Sequence, residues 1–324
     1  MELRHYNSPE ESEPFELTIP EDCAGLRLDQ VLARLFPDFS RGYWQTQIEL
    51  GAVKREGGAV RSKDRMHGGE CLWLDSEPVL RDEEVLPQPV PLDIVHQDAA
   101  FLVLHKPAGQ VVHPGHGNRE GTLQNGLLYY DAALSQVPRS GIVHRLDKDT
   151  SGLMVVARTP QAHTDLVRQL QARTVQRHYW ALVNGTPPKE GVVNAPMGRH
   201  PRLRTRMAVV GQGRVAVTHY RVVDRFPCHT LLECRLETGR THQIRVHLQH
   251  AGFPLAGDPV YGVPARRLDD ASLAALQGFG RQALHAFRLG FLHPVSGLSC
   301  AWSIDMEPDM AQLITVLEHA RHVG

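Results

Sequence analysis

The stretch "GIVHRLDKDTSGLMVVAR", residues 141–158, sets a histidine, an arginine and an aspartate between two apolar runs. Both runs, GIV and LMVVA, are short and rich in β-branched residues and read as strands. Thr150-Ser151-Gly152 gives a turn signal after the charged cluster. A turn between strands needs polar residues, but it does not need His144, Arg145 and Asp147 together. Three such groups on the lip of a buried sheet mark the place to look for chemistry.

Working outward, strands and helices alternate. FLVLHKPAG (101–109) reads as a strand running into a Pro-Gly turn. Thr159 and Pro160 open a helix through Arg173, with Ala162, Leu166 and Leu170 on one face. RHYWALVNG (177–185) is a strand ending at Asn-Gly, and HTLLECRLE (229–237) is another. Thr241 is placed to cap a helix, HQIRVHLQHA, stopped by Gly252. Nearer the start, Leu28, Val31, Leu32 and Leu35 fall on one helical face, and Pro37 ends that helix. Ser40 is placed to cap a second helix carrying Trp44 and Ile48, stopped at Gly51. Short strands follow near 52–53, 59–60 and 71–74. The proline- and acid-rich PVLRDEEVLPQPVPL has no period and reads as a linker or strap. The expected organisation is a solvated tail at 1–14, a small α/β unit at 15–76, a linker at 77–92 and a large α+β unit at 93–324.

The bulk numbers agree with a soluble globular protein. A chain of 324 residues implies two or three domains. No apolar run approaches the roughly 20 residues that span a bilayer, and the start lacks a signal-peptide core. Five scattered cysteines with no C-x-x-C pair argue against zinc ribbons and disulfide frameworks and fit a reducing cytoplasm. Net charge is −1, so any affinity for nucleic acid must be local. Between Arg199 and Arg225 stand seven arginines and one acid, Asp224; taken alone, such a run is a solvated face.

The usual cofactor and nucleophile patterns are missing. Of nineteen histidines, His242, His247 and His250 are the best spaced, but 242 and 247 are five apart with no interleaved acid. They read as surface or hydrogen-bonded histidines and not as a metal site. Ser151 lacks a G-x-S-x-G elbow, and neither a P-loop nor a G-x-G-x-x-G is present. Chemistry without metal or cofactor is the remaining class. Arg245 follows a strand-turn beside apolar Ile244, a position suited to pairing with a carboxylate in a cleft, which Asp147 would supply.

Several ordered motifs match one family. HRLDKDTSG (144–152) resembles the central motif of the RluA-type RNA pseudouridine synthases. HKPAGQVVHPG is similar to their first motif, RHYWALVNG to their tyrosine motif and ETGRTHQIRVHL to their arginine motif. PLAGDPVYG and RQALHAFRLGFLHPVSG resemble later stretches, and the N-terminal part is similar to an S4 RNA-binding domain. The likeness runs from about residue 16 to 312. Its details, such as VPLDIV and RHPRLRTRMAVV, resemble the branch that acts on the large ribosomal subunit. His105 stands where many relatives carry asparagine, and VKREGGAV departs from the usual S4 turn.

The resemblance implies isomerisation of uridine to pseudouridine within RNA: the N1–C1′ bond breaks, the base turns and C5 bonds to C1′. Asp147 would be the essential carboxylate, attacking C1′ or taking the C2′ proton. Arg245 would hold it, Tyr179 would lie against the uracil and Ile244 would form apolar wall. Arg145 would wedge into the space left by a flipped base, with His144 mainly structural. Lys106 and the run Arg202, Arg204, Arg206 would contact RNA, the latter as a phosphate arm. No metal or cofactor is implied. The implied partner is large-subunit rRNA, at the helix 69 stem-loop, met by a monomer. The alternatives are another rRNA site or tRNA, or an RNA-binding assembly factor whose catalysis is dispensable.

Overall fold

The computed structural model describes residues 15–36, 39, 41–55, 58–74, 85–114, 118, 120–203, 206–263 and 268–323. The expected tail at 1–14, the helix stop at Pro37, the cap at Ser40, the first part of the expected linker and Arg204 lie outside the described residues. The chain divides into two compact units, 1–84 and 85–324.

In the first unit, β1 (Phe15–Thr18), α1 (Leu28–Leu35), α2 (Arg41–Glu49), β2 (Val53–Arg55), β3 (Gly58–Ala59) and β4 (Cys71–Leu74) follow in order. The strands form an antiparallel sheet, β1-β4-β2-β3. Leu28, Val31 and Leu32 of α1 are fully buried with Trp44 and Ile48 of α2, as their helical spacing requires. Asp29, also fully buried, is neutralised by Arg27 and Arg41, each 3.0 Å away.

The second unit starts at Val85 and not at Asp93. The latter half of the proline-rich stretch is strapped along a helix, where Asn125 donates to the Leu86 carbonyl at 2.8 Å and accepts from Gln88 N–H at 3.1 Å. Its elements run β5 (Asp93–Gln97), β6 (Phe101–Lys106), α3 (Leu123–Tyr130), β7 (Ser151–Ala157), α4 (Pro160–Gln171), β8 (Gln176–Asn184) and β9 (Glu190–Asn194). They continue with β10 (Met197–Arg199), β11 (Met207–Val209), β12 (Val217–Arg225), β13 (His229–Leu236), α5 (Gln243–His250), α6 (Asp270–Phe279), β14 (Leu284–Leu292), β15 (Ser299–Ser303) and α7 (Pro308–Val323).

The main sheet is ordered β5-β6-β7-β14-β8-β13-β12-β9, with β15 on β14. Among the described strands its pairing is antiparallel except where β7 meets β14. The expected mixed, mostly antiparallel α+β architecture is therefore present. Strand alternation gives the sheet two apolar faces. Ala181 and Val183 of β8 join a core with α3, α4 and α5, while Leu182 joins another with α6 and α7. All seven residues of β7 are buried, so the LMVVA run is a central strand covered on both sides. No helix among the described residues is long and apolar enough to cross a membrane.

Three local expectations are corrected. The GIV run is not a strand: Ile142 makes a single antiparallel bridge to Val156, after a helical turn over Pro138–Gly141. Gly141 has φ +83°, and a Cβ there would lie 1.8 Å from the Ala157 carbonyl oxygen. The chain crosses β7 too closely to pair along it. The turn falls at Asp147–Thr150, closed by Thr150 N–H to the Asp147 carbonyl at 3.1 Å; Ser151 and Gly152 already belong to β7. Finally, α5 is preceded not by a Thr241 cap but by His242 in the left-handed region, φ 58°. Gln243 instead accepts from Arg240 N–H at 3.0 Å and from Thr238 at 2.7 Å, which folds the turn back on itself.

Candidate active site

The loop of residues 141–150 is held from three directions. Neutral His144 accepts Val155 N–H on Nε2 at 3.1 Å; burial pushes its pKa down to about 3, with Arg177 adding to the effect. The bridge at Ile142 ties the loop to the same strand. Lys106, with no exposed surface, donates to the carbonyls of Pro107, Gln110 and Lys148 at 2.8–2.9 Å. Burial lowers its pKa to about 7, opposed by Asp149 and Asp147. Lys106 is therefore spent on locking the loop, which replaces the RNA contact expected of it: a fully buried ammonium with three acceptors has no donor left to offer.

These ties carry Asp147 to the wall of a cavity of about 550 Å³. Across it, α5 supplies Arg245. Its Nη1 donates to Asp147 Oδ2 at 3.1 Å, while Nε and Nη2 grip both oxygens of Asp258 at 2.8 and 2.9 Å. The expected pair is thus a triad, with the bidentate bond on the other acid. Burial opposes ionisation of Asp258, but the Arg245 bonds and the N–H groups of Val260 and Tyr261 outweigh it and hold the pKa below the usual carboxylate range. Arg245 is raised despite burial, through the same two carboxylates. Its guanidinium also lies 5.0 Å over the Tyr261 ring.

His242 completes the circuit, with Nε2 3.9 Å from Asp147 Oδ1 and Nδ1 2.8 Å from the Tyr261 hydroxyl. That hydroxyl also accepts Met207 N–H at 2.8 Å. Burial favours the neutral ring, against the pull of Asp147. Sequence passes over Asp258 and Tyr261, and reads His242 only as a surface or hydrogen-bonded histidine. PLAGDPVYG held the signal, since Asp258 caps its own turn two and three residues on.

Tyr179 projects from β8 into the same cavity, 5% exposed, and Ile244 lines it at 3%. Burial raises the tyrosine pKa, so the phenol is neutral and able to stack. Arg145 also lines the cavity, with its side chain exposed. Arg202 is exposed on the β10–β11 turn and Arg206 is partly buried; neither lines the cavity. Their hairpin is moored to the site through Met207 and Tyr261. Of the other histidines on α5, His247 is buried and bonded to Thr218 and the Ala195 carbonyl.

Four non-glycine residues among those described have positive φ, and three of them, Arg139, Arg173 and His242, line this cavity. Backbone strain concentrated at one concavity is expected of a working site. The arrangement places one carboxylate, held at one oxygen by Arg245 and with His242 3.9 Å from the other, in a cavity lined by Tyr179 and rich in arginine.

Comparison with known proteins agrees with this picture. A family model described as RNA pseudouridylate synthase matches residues 100–250. A protein of Nitrosomonas europaea named ribosomal large subunit pseudouridine synthase D is 52% identical over 97% of this chain and 91% of its own length. One of the same name from Pseudomonas aeruginosa is 48% identical over 94% of this chain and 95% of its own. The structure of human RNA pseudouridylate synthase domain containing 4 is similar with a TM-score of 0.54 and 27% identity, covering 70% of this chain and 93% of that one.

Proposed function

The chain belongs to the RNA pseudouridylate synthase family, and on that premise we propose that it converts uridines of large-subunit ribosomal RNA to pseudouridine with Asp147 as its catalytic carboxylate. The observation that carries the assignment is the fixing of Asp147: Arg245 on one oxygen, His242 facing the other.

The target base is unreachable within a stack and must be flipped, at a cost of a few kcal/mol. Exposed Arg145, two residues before Asp147, fills the gap, and Tyr179 receives the uracil face. Asp147 then attacks C1′ or removes the C2′ proton as the N1–C1′ bond breaks. The freed uracil turns against Tyr179 and Ile244, and C5 bonds to C1′ as the Asp147–C1′ bond breaks or, by the other route, as the proton held by Asp147 returns to C2′. The C5 proton then leaves and N1 takes one up. Arg245 holds the carboxylate through both halves, anchored by Asp258.

The unit at 15–76 acts as an S4-like RNA-binding module, raising the effective concentration of the catalytic unit on its RNA. Arg202, Arg204 and Arg206 contact phosphates. Helix 69 of the large-subunit RNA is the site, met by a monomer in the cytoplasm. The test is tritium release from unmodified large-subunit rRNA labelled at uridine C5, run beside tRNA. Wild-type protein is expected to release tritium from rRNA, and Asp147→Asn to release none while binding the same RNA. Comparable release by Asp147→Asn would overturn the assignment; release from tRNA alone would move the substrate.

A further inference from the structure

Arg177 stands apart from the other buried arginines. It lies on β8 two residues before Tyr179, and the alternation of that strand puts both on the cavity face, roughly 6–7 Å apart along the chain. It is 7% exposed. Its Nε finds no hydrogen-bond partner among the described residues, and no Asp or Glu among them lies close enough to act on its charge. Arg245 has two carboxylates, Arg281 has Asp309 and Arg158 has Asp131. The fold also makes room for it: a Cβ at Gly239 would lie 2.6 Å from its Nη1.

A buried guanidinium without a counter-charge is costly, and a protein keeps one where something else supplies the charge. A neutral acceptor such as a uracil carbonyl would satisfy one N–H and leave the charge unmet. A phosphodiester satisfies both, through the paired geometry that guanidinium and phosphate share. Arg173, on the same wall, is already engaged by Glu237 at 3.3 Å. Arg139 and Arg145 line the cavity too but are exposed, and Arg240 is half-buried, so Arg177 is the buried cation there for which an anion matters most. We propose that Arg177 forms a phosphate subsite, binding the phosphodiester beside the target uridine while that base rests on Tyr179. This rests on the reading of the cavity as a nucleotide site.

The experiment separates charge, donor and scaffold. Arg177→Met, Arg177→Gln and Arg177→Lys are compared with wild type for tritium release from unmodified large-subunit rRNA across a salt series, and for melting temperature. With a phosphate subsite, Arg177→Met keeps or raises the melting temperature and loses at least tenfold in kcat/KM. Its salt slope falls by about 0.7, the loss of one phosphate contact to single-stranded RNA. Arg177→Lys restores much of the activity and slope, and Arg177→Gln does not. Recovery by glutamine but not lysine would overturn the proposal in favour of a contact to a base. A lower melting temperature in Arg177→Met with an unchanged salt slope would overturn it in favour of a scaffold role. Silence of the wild-type protein would instead overturn the functional reading beneath it.

Discussion

Arg245 serves two acids with one guanidinium, and the geometry ranks them. Asp258, fully buried and bidentate, is the anchor; Asp147, singly bonded and facing the cavity, is the group held for use. Asp258→Asn keeps the shape of the side chain but removes the charge that Arg245 leans on. Breaking a buried pair from one side typically costs about 3–5 kcal/mol. Urea unfolding is expected to show a loss of that order, and tritium release to fall because Arg245 no longer holds a fixed direction. A stability loss under about 1 kcal/mol would mean that Arg245 is supported elsewhere. Sequence marks Asp147, Arg245 and Tyr179 through their motifs, but passes over Asp258 and reads His242 only as a surface or hydrogen-bonded histidine. A lone aspartate in a turn and a lone histidine before a helix carry no local signature of whom they touch. Their partners lie 13 and 19 residues away in sequence. Lys106 misleads for the same reason: its three acceptors are carbonyls, which every residue has.

At the scale of elements, the alternation of strands and helices is legible because each run has its own period. The order of strands is not. β14 enters the sheet between β7 and β8, which are separated only by α4, and nothing local marks that insertion. Gly152, at φ +121°, is its footprint, because a Cβ there would meet the Ala286 backbone at 2.3 Å. Gly141 does the same for the crossing that precedes the catalytic loop. Two substitutions separate backbone strain from this close approach. Gly121 has φ +68°, and a Cβ there would meet nothing within 4 Å, so Gly121→Ala should cost only the left-handed penalty, about 1–2 kcal/mol. Gly141→Ala adds a collision with the Ala157 carbonyl and should cost about 3 kcal/mol or more. It should also lower turnover among molecules that remain folded, because the loop carrying Asp147 must lift off β7. Equal melting temperatures for the two variants would show that the crossing yields without strain.

For the whole molecule, histidines kept neutral contribute to the loss of stability as pH falls from neutrality. Burial pushes His113, His229 and His285 down to about 4 and His144 to about 3. An unfolded chain protonates each near 6.5. Between about 6.5 and about 4 the unfolded state therefore binds protons that the folded state refuses, and stability falls with falling pH. The contribution is fully present above about 6.5 and lost as pH drops toward the folded values. Each such group steepens the loss by up to about 1.4 kcal/mol per pH unit. His229 gives the cleanest test, being 1% exposed with neither ring nitrogen bonded among the described residues and standing at the start of β13, opposite Asn184 of β8 and away from the cavity lining. Urea unfolding of the wild-type protein between about pH 7 and 4.5 should show a steep decline. His229→Leu, which removes one proton from that balance and no hydrogen bond, should shallow the decline by about one group's share while leaving tritium release at neutral pH unchanged. A parallel decline in the two proteins would place His229 in a wetter setting than its burial implies, with the acid sensitivity resting on other groups.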